Sequence, residues 1–332
     1  MQRTTHWGAS AVIAMRVHRF GGPEVLQRDE VPVPEPGPGQ ARVRLEAIGL
    51  NYHDTYTRSG LYPVSLPYTP GIEAAGVVDA VGPGVTEVKP GDRVAYALAG
   101  ATYVEYGLAE AAKLVPLPDG VSSELAAAVL LQGLTAHYLA TSTFPLRPGH
   151  RVLVHAAAGG TGLLLVQIAK RLGATVYGTV GSPAKADVAL AAGADAVILY
   201  REVDFVSEVE RLTGGEGVHA VYDSVGQATF RGSLRCLAPR GILVSFGQSS
   251  GPVEPIAPLE LMNGSLYLTR PHLRDYIRTR EELLSRAGDI FAWLAAGELQ
   301  VRIDSRFALT EVADAHRRLE SRQSVGKILL IP

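Results

Sequence analysis

The second half of the chain alternates short apolar runs with segments whose apolar residues recur at helical spacing. The clearest unit covers residues 151–172. Residues 152–155 form an apolar run rich in β-branched residues, as in a buried parallel strand. A glycine cluster ends this run, and helical spacing continues from Leu163 to two cations that suit a helix C-terminus. Similar units follow as far as GILVSFG, which begins at Gly241.

The first part of the chain shows a different pattern. Residues 41–50 alternate with a period of two, as a half-buried strand does, and short valine-rich runs follow between proline and glycine turn signals. We expect the first strand to begin at Met15, with residues 1–14 as an extension or an alternative start. A helix of small residues, capped at residues 122–124, is expected to run to about Thr141.

These patterns predict an α/β protein with two domains. Repeated strand–helix units imply right-handed crossovers and a doubly wound parallel sheet, which we place at residues 131–270. The β-rich remainder predicts a second domain at residues 1–130, and residues 271–332 are expected to return to it. The strand within residues 265–271 would lie at the edge of the parallel sheet.

Composition excludes several classes of function. The 332 residues carry a formal net charge of −2, so phosphate neutralisation gives no support for nucleic-acid binding. One cysteine, Cys236, excludes an internal disulfide and a multi-cysteine zinc lobe. Two long uncharged stretches, at residues 125–146 and 152–169, contain polar residues or glycines and are not expected to span a membrane. With no secretory signal visible, we expect a cytoplasmic protein.

The glycine cluster matches a nucleotide-binding pattern. AAGGTG at residues 157–162 fills the slots of G-x-G-x-x-G, with alanine in the first. In that motif, the second glycine allows the backbone to approach a pyrophosphate, and the third allows helix and strand to pack closely. A helix N-terminus adds free N–H groups and a positive dipole. Taken alone, the match is equally compatible with an ordinary glycine-rich turn between a strand and a helix.

The next strand indicates which dinucleotide would bind. Residues 174–180 predict a strand, and Ser182 and Pro183 can then cap and open a helix, which puts Lys185 in its first turn. The helix dipole disfavours a cation there unless an anion lies opposite. No Asp or Glu follows this strand to bind ribose hydroxyls, so the pattern suits the 2′-phosphate of NADP. A solvated surface lysine is the alternative interpretation.

Eight blocks, in order along the chain, carry a family resemblance. They are GGPEVL at Gly21, NYHDTYTRSGLYP at Asn51, GIEAAGVV at Gly71, GDRVAY at Gly91, HAAAGGTG at His155, VYDSVG at Val221, VSFGQSSG at Val244 and LTRP at Leu268. From Met15 onward the chain resembles the zinc-free medium-chain dehydrogenases/reductases, and among them the zeta-crystallin-like NADPH:quinone oxidoreductases. The resemblance implies a GroES-like β-rich catalytic domain and an inserted Rossmann domain.

The resemblance also implies that no metal is bound. Zinc-dependent relatives have a cysteine ligand near the position of Asn51 and a histidine in the slot of Ile72, and neither ligand is present here. Packing or polar capping is the expected role of His53, His137 and His155.

The resemblance assigns a set of site residues. Asn51, Tyr56 and Tyr62 are the implied catalytic candidates, and packing is the alternative for the tyrosines. NADPH contacts are implied for Asn51, Tyr56, Tyr138, Gly159, Gly160, Thr161, Gly162, Gly181, Ser182, Lys185, Tyr200, Ser224, Phe246, Gly247 and Arg322.

The expected function is NADPH-dependent reduction of a quinone by direct hydride transfer without a metal. Reduction of an α,β-unsaturated carbonyl is the enzymatic alternative, because it uses the same cofactor geometry. A non-catalytic NADPH-binding role, structural or in RNA binding, is the alternative from another class. The resemblance further implies a homodimer or homotetramer.

Overall fold

The computed structural model describes residues 11–332, which form two compact units. Unit 1 contains the described residues up to Leu131 together with Ile303–Pro332, and unit 2 is Gln132–Arg302. Residues 271–302, which the sequence prediction joined to the first domain, fall in unit 2 by this division. Residues 1–10, part of the proposed N-terminal extension, lie outside the described residues.

Unit 1 is built mainly of antiparallel strands. In chain order its elements are β1 (Ala11–Val17), β2 (Leu26–Pro32), β3 (Gln40–Gly49), α1 (Tyr52–Arg58), β4 (Glu73–Val81), β5 (Arg93–Ala97), β6 (Tyr106–Glu110), β7 (Val115–Pro116) and the first half of α2 (Ser123–Tyr138). The alternating segment at residues 41–50 does form a strand, β3, which lies inside its sheet because β4 and β6 both pair with it.

The first strand begins earlier than the sequence indicated. Ala11 pairs with Pro32, and Ala14 pairs with Asp29. The expected start at Met15 was therefore wrong, because these small residues complete the antiparallel ribbon with β2.

Unit 2 is a doubly wound α/β domain. Its elements are β8 (Arg151–Val154), α3 (Gly160–Arg171), β9 (Thr175–Val180), α4 (Pro183–Ala191), β10 (Ala196–Leu199), α5 (Phe205–Thr213), β11 (Val218–Asp223), α6 (Phe230–Arg235), β12 (Leu237–Ser245), β13 (Tyr267–Thr269), α7 (Leu273–Tyr276) and α8 (Arg280–Ala295). Within the described residues, the strand order is β10-β9-β8-β11-β12-β13, and neighbouring strands are parallel. β13 is at the edge, as predicted.

The order of these strands identifies where a ligand can bind. The chain moves outward from β8 to β10, then returns to the other side of β8 and continues from β11 to β13. This reversal is the topological switch point of a Rossmann fold, beyond whose strand C-termini dinucleotides bind. The fold class predicted from the sequence is confirmed.

The last segment belongs to unit 1. It consists of β14 (Ile303–Ala308), α9 (Val312–Glu320) and β15 (Lys327–Ile331). β15 pairs in parallel with β14 and antiparallel with β3, so the described sheet of unit 1 runs in the order β14-β15-β3-β4-β5-β7. The end of the chain is thereby fixed beside the end of β3.

The small-residue helix α2 continues through a π-helical turn, Leu139–Thr143. By length and composition alone, Ser123–Thr143 is apolar enough to cross a membrane. However, 72% of its most apolar window is buried inside the protein, as in the core helix of a globular domain.

Candidate active site

The glycine-rich turn of unit 2 has the geometry that the fingerprint requires. β8 ends at Val154, the chain turns through Ala156 with a φ of 51°, and Gly159 is the N-cap of α3. A Cβ on Gly162 would overlap the carbonyl oxygen of Ala156, so only glycine lets α3 start this close to the turn. The predicted role of the third glycine is confirmed.

The alanine in the first slot of the fingerprint is accommodated by a second glycine on the neighbouring strand. A Cβ on Gly178 of β9 would lie 2.7 Å from the Cβ of Ala157. The absence of a side chain at Gly178 therefore leaves room for the methyl group of Ala157. The N-cap residue Gly159 has no side chain, and the first N–H groups of α3 have no intrahelical acceptor. The turn therefore fits a pyrophosphate, with Gly160 and Thr161 in the first turn of the helix.

The ends of β9 and β10 form a second, cationic part of the site. Lys185 lies in the first turn of α4, as predicted, and Ser182 is the N-cap, although its side chain makes no capping hydrogen bond. A Cβ on Gly181 would lie 2.8 Å from the Tyr200 hydroxyl and 3.4 Å from Nε of Arg201. The structure thus brings Tyr200 to Gly181 and adds Arg201, which was not predicted as a site residue.

The ends of β11 and β12 also meet. Ser224 follows β11, and a Cβ on Gly247 would lie 2.6 Å from the Ser224 carbonyl oxygen. Phe246 donates its backbone N–H to the carbonyl of Asp223 at 2.8 Å. These three predicted residues are therefore neighbours at the C-terminal edge of the sheet.

Other predicted residues of unit 2 have packing roles. Tyr138 is 2% exposed, and its ring stacks on that of Tyr276 with centroids 4.1 Å apart. A cofactor contact for Tyr138 stays a prediction.

His137 stacks on Trp293, and His155 bonds through both ring nitrogens to Thr179 and Ser233. Burial lowers the pKa of His155, so this ring is neutral near pH 7.

The catalytic candidates of unit 1 lie on and just after α1. Tyr56 and Tyr62 meet edge to face, with ring centroids 5.3 Å apart, and the backbone N–H of Tyr62 donates to the Tyr56 carbonyl at 3.1 Å. The ring of His53 lies 5.5 Å from that of Tyr62. These aromatic residues are half-buried, so they form a partly exposed face beside the buried N-cap, Asn51.

The side chain of Asn51 is held by hydrogen bonds at both its amide nitrogen and its amide oxygen. Its amide nitrogen donates to the Gly49 carbonyl at 2.9 Å and to Oε2 of Glu73 at 3.1 Å. Its amide oxygen accepts from Nζ of Lys327 at 2.9 Å. Lys327 also forms a 2.6 Å ion pair with Glu73, and neither of those side chains is more than 1% exposed. Neither Glu73 nor Lys327 was predicted as a site residue.

A buried polar chain leads away from α1. Oδ2 of Asp54 accepts from the Asn51 N–H at 2.9 Å and from the Tyr103 hydroxyl at 3.0 Å. Tyr103 also contacts His316, which in turn contacts Arg58 at 2.8 Å. Burial raises the pKa of Asp54 from 3.8 to about 7. Burial and the Arg58 charge lower the pKa of His316 to about 3.

Arg322 is tied to α1 through the end of α9. The Leu319 carbonyl accepts from both the Tyr52 hydroxyl and the Arg322 N–H, each at 3.1 Å. Arg322 has a φ of 58°, a left-handed backbone conformation that non-glycine residues adopt uncommonly. The predicted unit 1 residues Asn51, Tyr56, Tyr62 and Arg322 thus all lie on α1 or are connected to it.

The donor set of unit 1 does not fit the zinc site of the metal-dependent relatives. Asn51 is bonded to Lys327, and the apolar side chain of Ile72 cannot coordinate a metal. Across residues 11–332, no group of at least three His, Cys, Asp and Glu side chains could hold a metal ion.

Comparisons with known proteins agree with this geometry. Residues 37–139 match the model of the alcohol dehydrogenase GroES-like domain, and residues 160–290 match that of zinc-binding dehydrogenases. The chain is 49% identical to a quinone oxidoreductase of Salmonella typhimurium, covering 95% of this chain and 98% of that protein. It is 42% identical to a 2-haloacrylate reductase of Burkholderia, covering 97% and 99%. The solved Escherichia coli quinone oxidoreductase complexed with NADPH superposes with a TM-score of 0.95 at 46% identity, covering 96% of this chain and 100% of that one.

Proposed function

The chain belongs to the quinone oxidoreductase family of medium-chain dehydrogenases/reductases, and on that premise we propose that it reduces quinones with NADPH. The observation that carries the choice of cofactor is the cationic part of the site in unit 2. Lys185 and Arg201 supply positive charge after β9 and β10, and no carboxylate directly follows β9 to bind the ribose hydroxyls of NAD. Charge-assisted hydrogen bonds suit the 2′-phosphate.

We assign the remaining roles by the chemistry of each group. The turn at Gly159, Gly160, Thr161 and Gly162 binds the pyrophosphate through backbone N–H groups. Gly181, Ser182 and Tyr200 complete the adenosine-phosphate contacts. The remaining proposed cofactor contacts are those of Tyr138, Ser224, Phe246, Gly247 and Arg322.

When bound, NADPH supplies the hydride. A quinone that accepts a hydride becomes a hydroquinone anion, which then takes a proton from water to become a hydroquinone. The residues of unit 1 position the reacting groups. The amide of Asn51, which Lys327 and Glu73 hold in place, orients these groups. The phenols of Tyr56 and Tyr62 can donate hydrogen bonds to a quinone oxygen. A phenol gives up its proton reluctantly at neutral pH, so orientation is the role that we propose for these tyrosines.

The proposed reaction uses no protein-bound metal. The positions that hold zinc in metal-dependent relatives are occupied by an amide committed to Lys327 and by the apolar side chain of Ile72. Because a quinone is already electrophilic, it needs less polarisation than a simple ketone. Hydrogen bonds and positioning are then sufficient assistance.

A second candidate is reduction of α,β-unsaturated carbonyl compounds. The observation that favours it is the full-length similarity to a 2-haloacrylate reductase. Both reactions deliver the hydride to an electron-poor carbon conjugated with a carbonyl group, so the same site residues serve either substrate.

Steady-state NADPH oxidation with a matched panel of acceptors tests the proposal. The panel pairs quinones with enones and haloacrylates of similar size. We expect the highest kcat/KM with a quinone; a higher value with an enone would favour the second candidate. NADPH binding without turnover of any acceptor would indicate the non-catalytic role.

We further propose that the protein works as a cytoplasmic homodimer or homotetramer. Support comes from the edge of the unit 2 sheet, where β13 leaves one side unpaired within the described residues. Near it, Leu259 and Met262 are each 71% exposed, and Tyr267 is 61% exposed. Pairing of edge strands between two copies would cover this apolar surface. Sedimentation velocity, compared between the native chain and Tyr267→Lys, tests this assembly.

A further inference from the structure

The strand register of unit 1 brings a lysine and a glutamate to the candidate residue Asn51. β15 pairs antiparallel with β3, with Leu329 opposite Gly49, so the same register places Lys327 level with Asn51. On the other side of β3, Ala74 lies opposite Ile48, which places Glu73 level with Gly49. Two strands that flank β3 therefore deliver opposite charges to its C-terminal end.

The two charges determine the orientation of the Asn51 amide. A lysine ammonium can only donate hydrogen bonds, and an ionised carboxylate can only accept them. The atom 2.9 Å from Nζ of Lys327 must therefore be the amide oxygen, and the atom 3.1 Å from Oε2 of Glu73 must be the amide nitrogen. The nitrogen uses its other hydrogen on the Gly49 carbonyl. If the amide were flipped, its NH₂ group would face the Lys327 ammonium and its oxygen would face the Glu73 carboxylate, and neither pair could form a hydrogen bond.

Glu73 is itself held in place. Its Oε1 accepts the backbone N–H of Leu131 at 2.6 Å, and its Oε2 accepts from Lys327 at 2.6 Å. A Cβ on Gly49 would overlap this carboxylate, so the glycine provides the space that the carboxylate fills.

Stability alone does not account for this arrangement. Removing an ammonium and a carboxylate from water carries a large desolvation cost, and apolar residues of similar size often serve the fold equally well. A pair that is at most 1% exposed, and is bonded to a candidate catalytic side chain, suggests that it serves the site.

We propose that Lys327 and Glu73 are positioning residues that hold the Asn51 amide for the reaction. The inference rests on the proposed function, because it concerns how the same site orients its reacting groups. With both amide hydrogens committed to Gly49 and Glu73, the Asn51 side chain does not donate to a quinone oxygen. Any hydrogen bond to that oxygen must come from another group of the site.

A double-mutant cycle tests whether Lys327 acts through Asn51. Lys327→Met removes the donor and keeps the length of the side chain. We expect kcat/KM to fall by up to roughly 100-fold, the cost of displacing a reacting group by about 1 Å. In the Asn51→Ala background the same substitution should change kcat/KM by less than about twofold, because the group that it positions is gone.

A second readout does not depend on turnover. The fluorescence emission and lifetime of bound NADPH report the surroundings of the nicotinamide ring. We expect Lys327→Met and Asn51→Ala to change them alike, while the NADPH Kd stays within about threefold because the phosphate contacts lie in unit 2. Arg42→Met is the matched control: it removes an ion pair with Asp79 from the same strands, β3 and β4, and should leave both readouts unchanged.

Glu73→Gln provides an independent variant if Lys327→Met does not fold. Its oxygen can keep the Leu131 bond, but its NH₂ group then faces Lys327 and the Asn51 nitrogen, so the amide must turn. The positioning role would be overturned if the loss in kcat/KM from Lys327→Met or from Glu73→Gln were as large in the Asn51→Ala background as in the native chain. It would also be overturned if both single variants kept the native kcat/KM. If the native chain reduces no acceptor, the proposed function fails; unchanged NADPH fluorescence in Lys327→Met would then overturn this inference separately.

Discussion

The buried carboxyl group of Asp54 predicts an unusual dependence of stability on pH. The residue is fully buried at the N-terminus of α1, and burial raises its pKa from 3.8 to about 7. Hydrogen bonds from Asn51 and Tyr103 oppose that rise by favouring the carboxylate. Its other oxygen, Oδ1, has no hydrogen-bond partner among the described residues.

The sign follows from the protons bound in each state. Between about pH 4 and pH 7 the folded protein keeps a proton that the unfolded chain has lost, so the free energy of unfolding falls as pH rises. The stability associated with Asp54 is complete below pH 3.8 and is lost as pH rises through about 7. The whole difference amounts to about 4 kcal/mol, at about 1.36 kcal/mol per pKa unit.

Asp54→Asn isolates this contribution, because the amide does not titrate. We expect the wild-type protein to lose about 2 to 3 kcal/mol relative to the variant between pH 5 and pH 8, or roughly 30- to 150-fold in an opening equilibrium. His316, whose lowered pKa makes stability rise with pH below about 6.5, is present in both proteins and cancels in the comparison.

Hydrogen exchange of β3 and β4 amides is the appropriate assay, because it reports the opening of unit 1 alone. The ratio of variant to wild-type exchange rates at each pH removes the intrinsic pH dependence. Asp304→Asn is the matched control: burial raises the pKa of Asp304, but bonds from Arg318 and Val325 lower it overall, so its ratio should stay constant from pH 5 to pH 8. A constant ratio for Asp54→Asn as well would refute the reasoning.

The other predictions concern the cofactor, the turn and the chemistry. Lys185→Ala should weaken NADPH binding by roughly 10- to 100-fold and spare NADH in fluorescence titrations; equal weakening would mean that the lysine does not bind the 2′-phosphate. Gly162→Ala should lower the stability of unit 2 by about 1 to 3 kcal/mol in thermal unfolding, whereas Gly160→Ala, whose Cβ meets only a side-chain end, should unfold nearly as the wild type does. Tyr56→Phe should cost roughly tenfold in kcat, as one lost neutral hydrogen bond, and Asn51→Ala should cost more; a thousandfold loss with Tyr56→Phe, together with loss of a basic limb in the pH profile, would identify the phenol as a general acid. Chelators should leave activity unchanged, and a loss restored by zinc would contradict the absence of a catalytic metal.

The Rossmann unit was predictable because its signals are local. Period, glycine position and capping all act within a few residues, and the predicted strands at residues 152–155 and 174–180 appear as β8 and β9. Even so, the alanine in the first fingerprint slot could be explained only by Gly178, about 20 residues further along the chain. That compensation depends on the pairing of β8 with β9, which a local motif does not contain.

The helix of the catalytic candidates was not predicted. α1 is only 7 residues long, and its tyrosines, histidine and threonines are poor helix formers, so neither periodicity nor propensity marked it. The usable signal was Asn51 followed by Asp54, an N-cap with an acidic residue three positions later. Arg201 was missed for a similar reason, since only the neighbouring end of β9 shows what the arginine faces.

Lys327 shows most clearly why part of the site was not predictable. The sequence contains only five lysines against 26 arginines, and a role could be predicted for Lys185 because its helix position is a local feature. Lys327 comes directly before an apolar run at the end of the chain. A lysine beside such a run is ordinarily exposed to solvent. Its function depends on a register between strands nearly 280 residues apart, which sets it against Asn51 on one side and Glu73 on the other. Because desolvation makes such a cation costly unless its partners are in place, the folded sheet must form before the residue acquires its role.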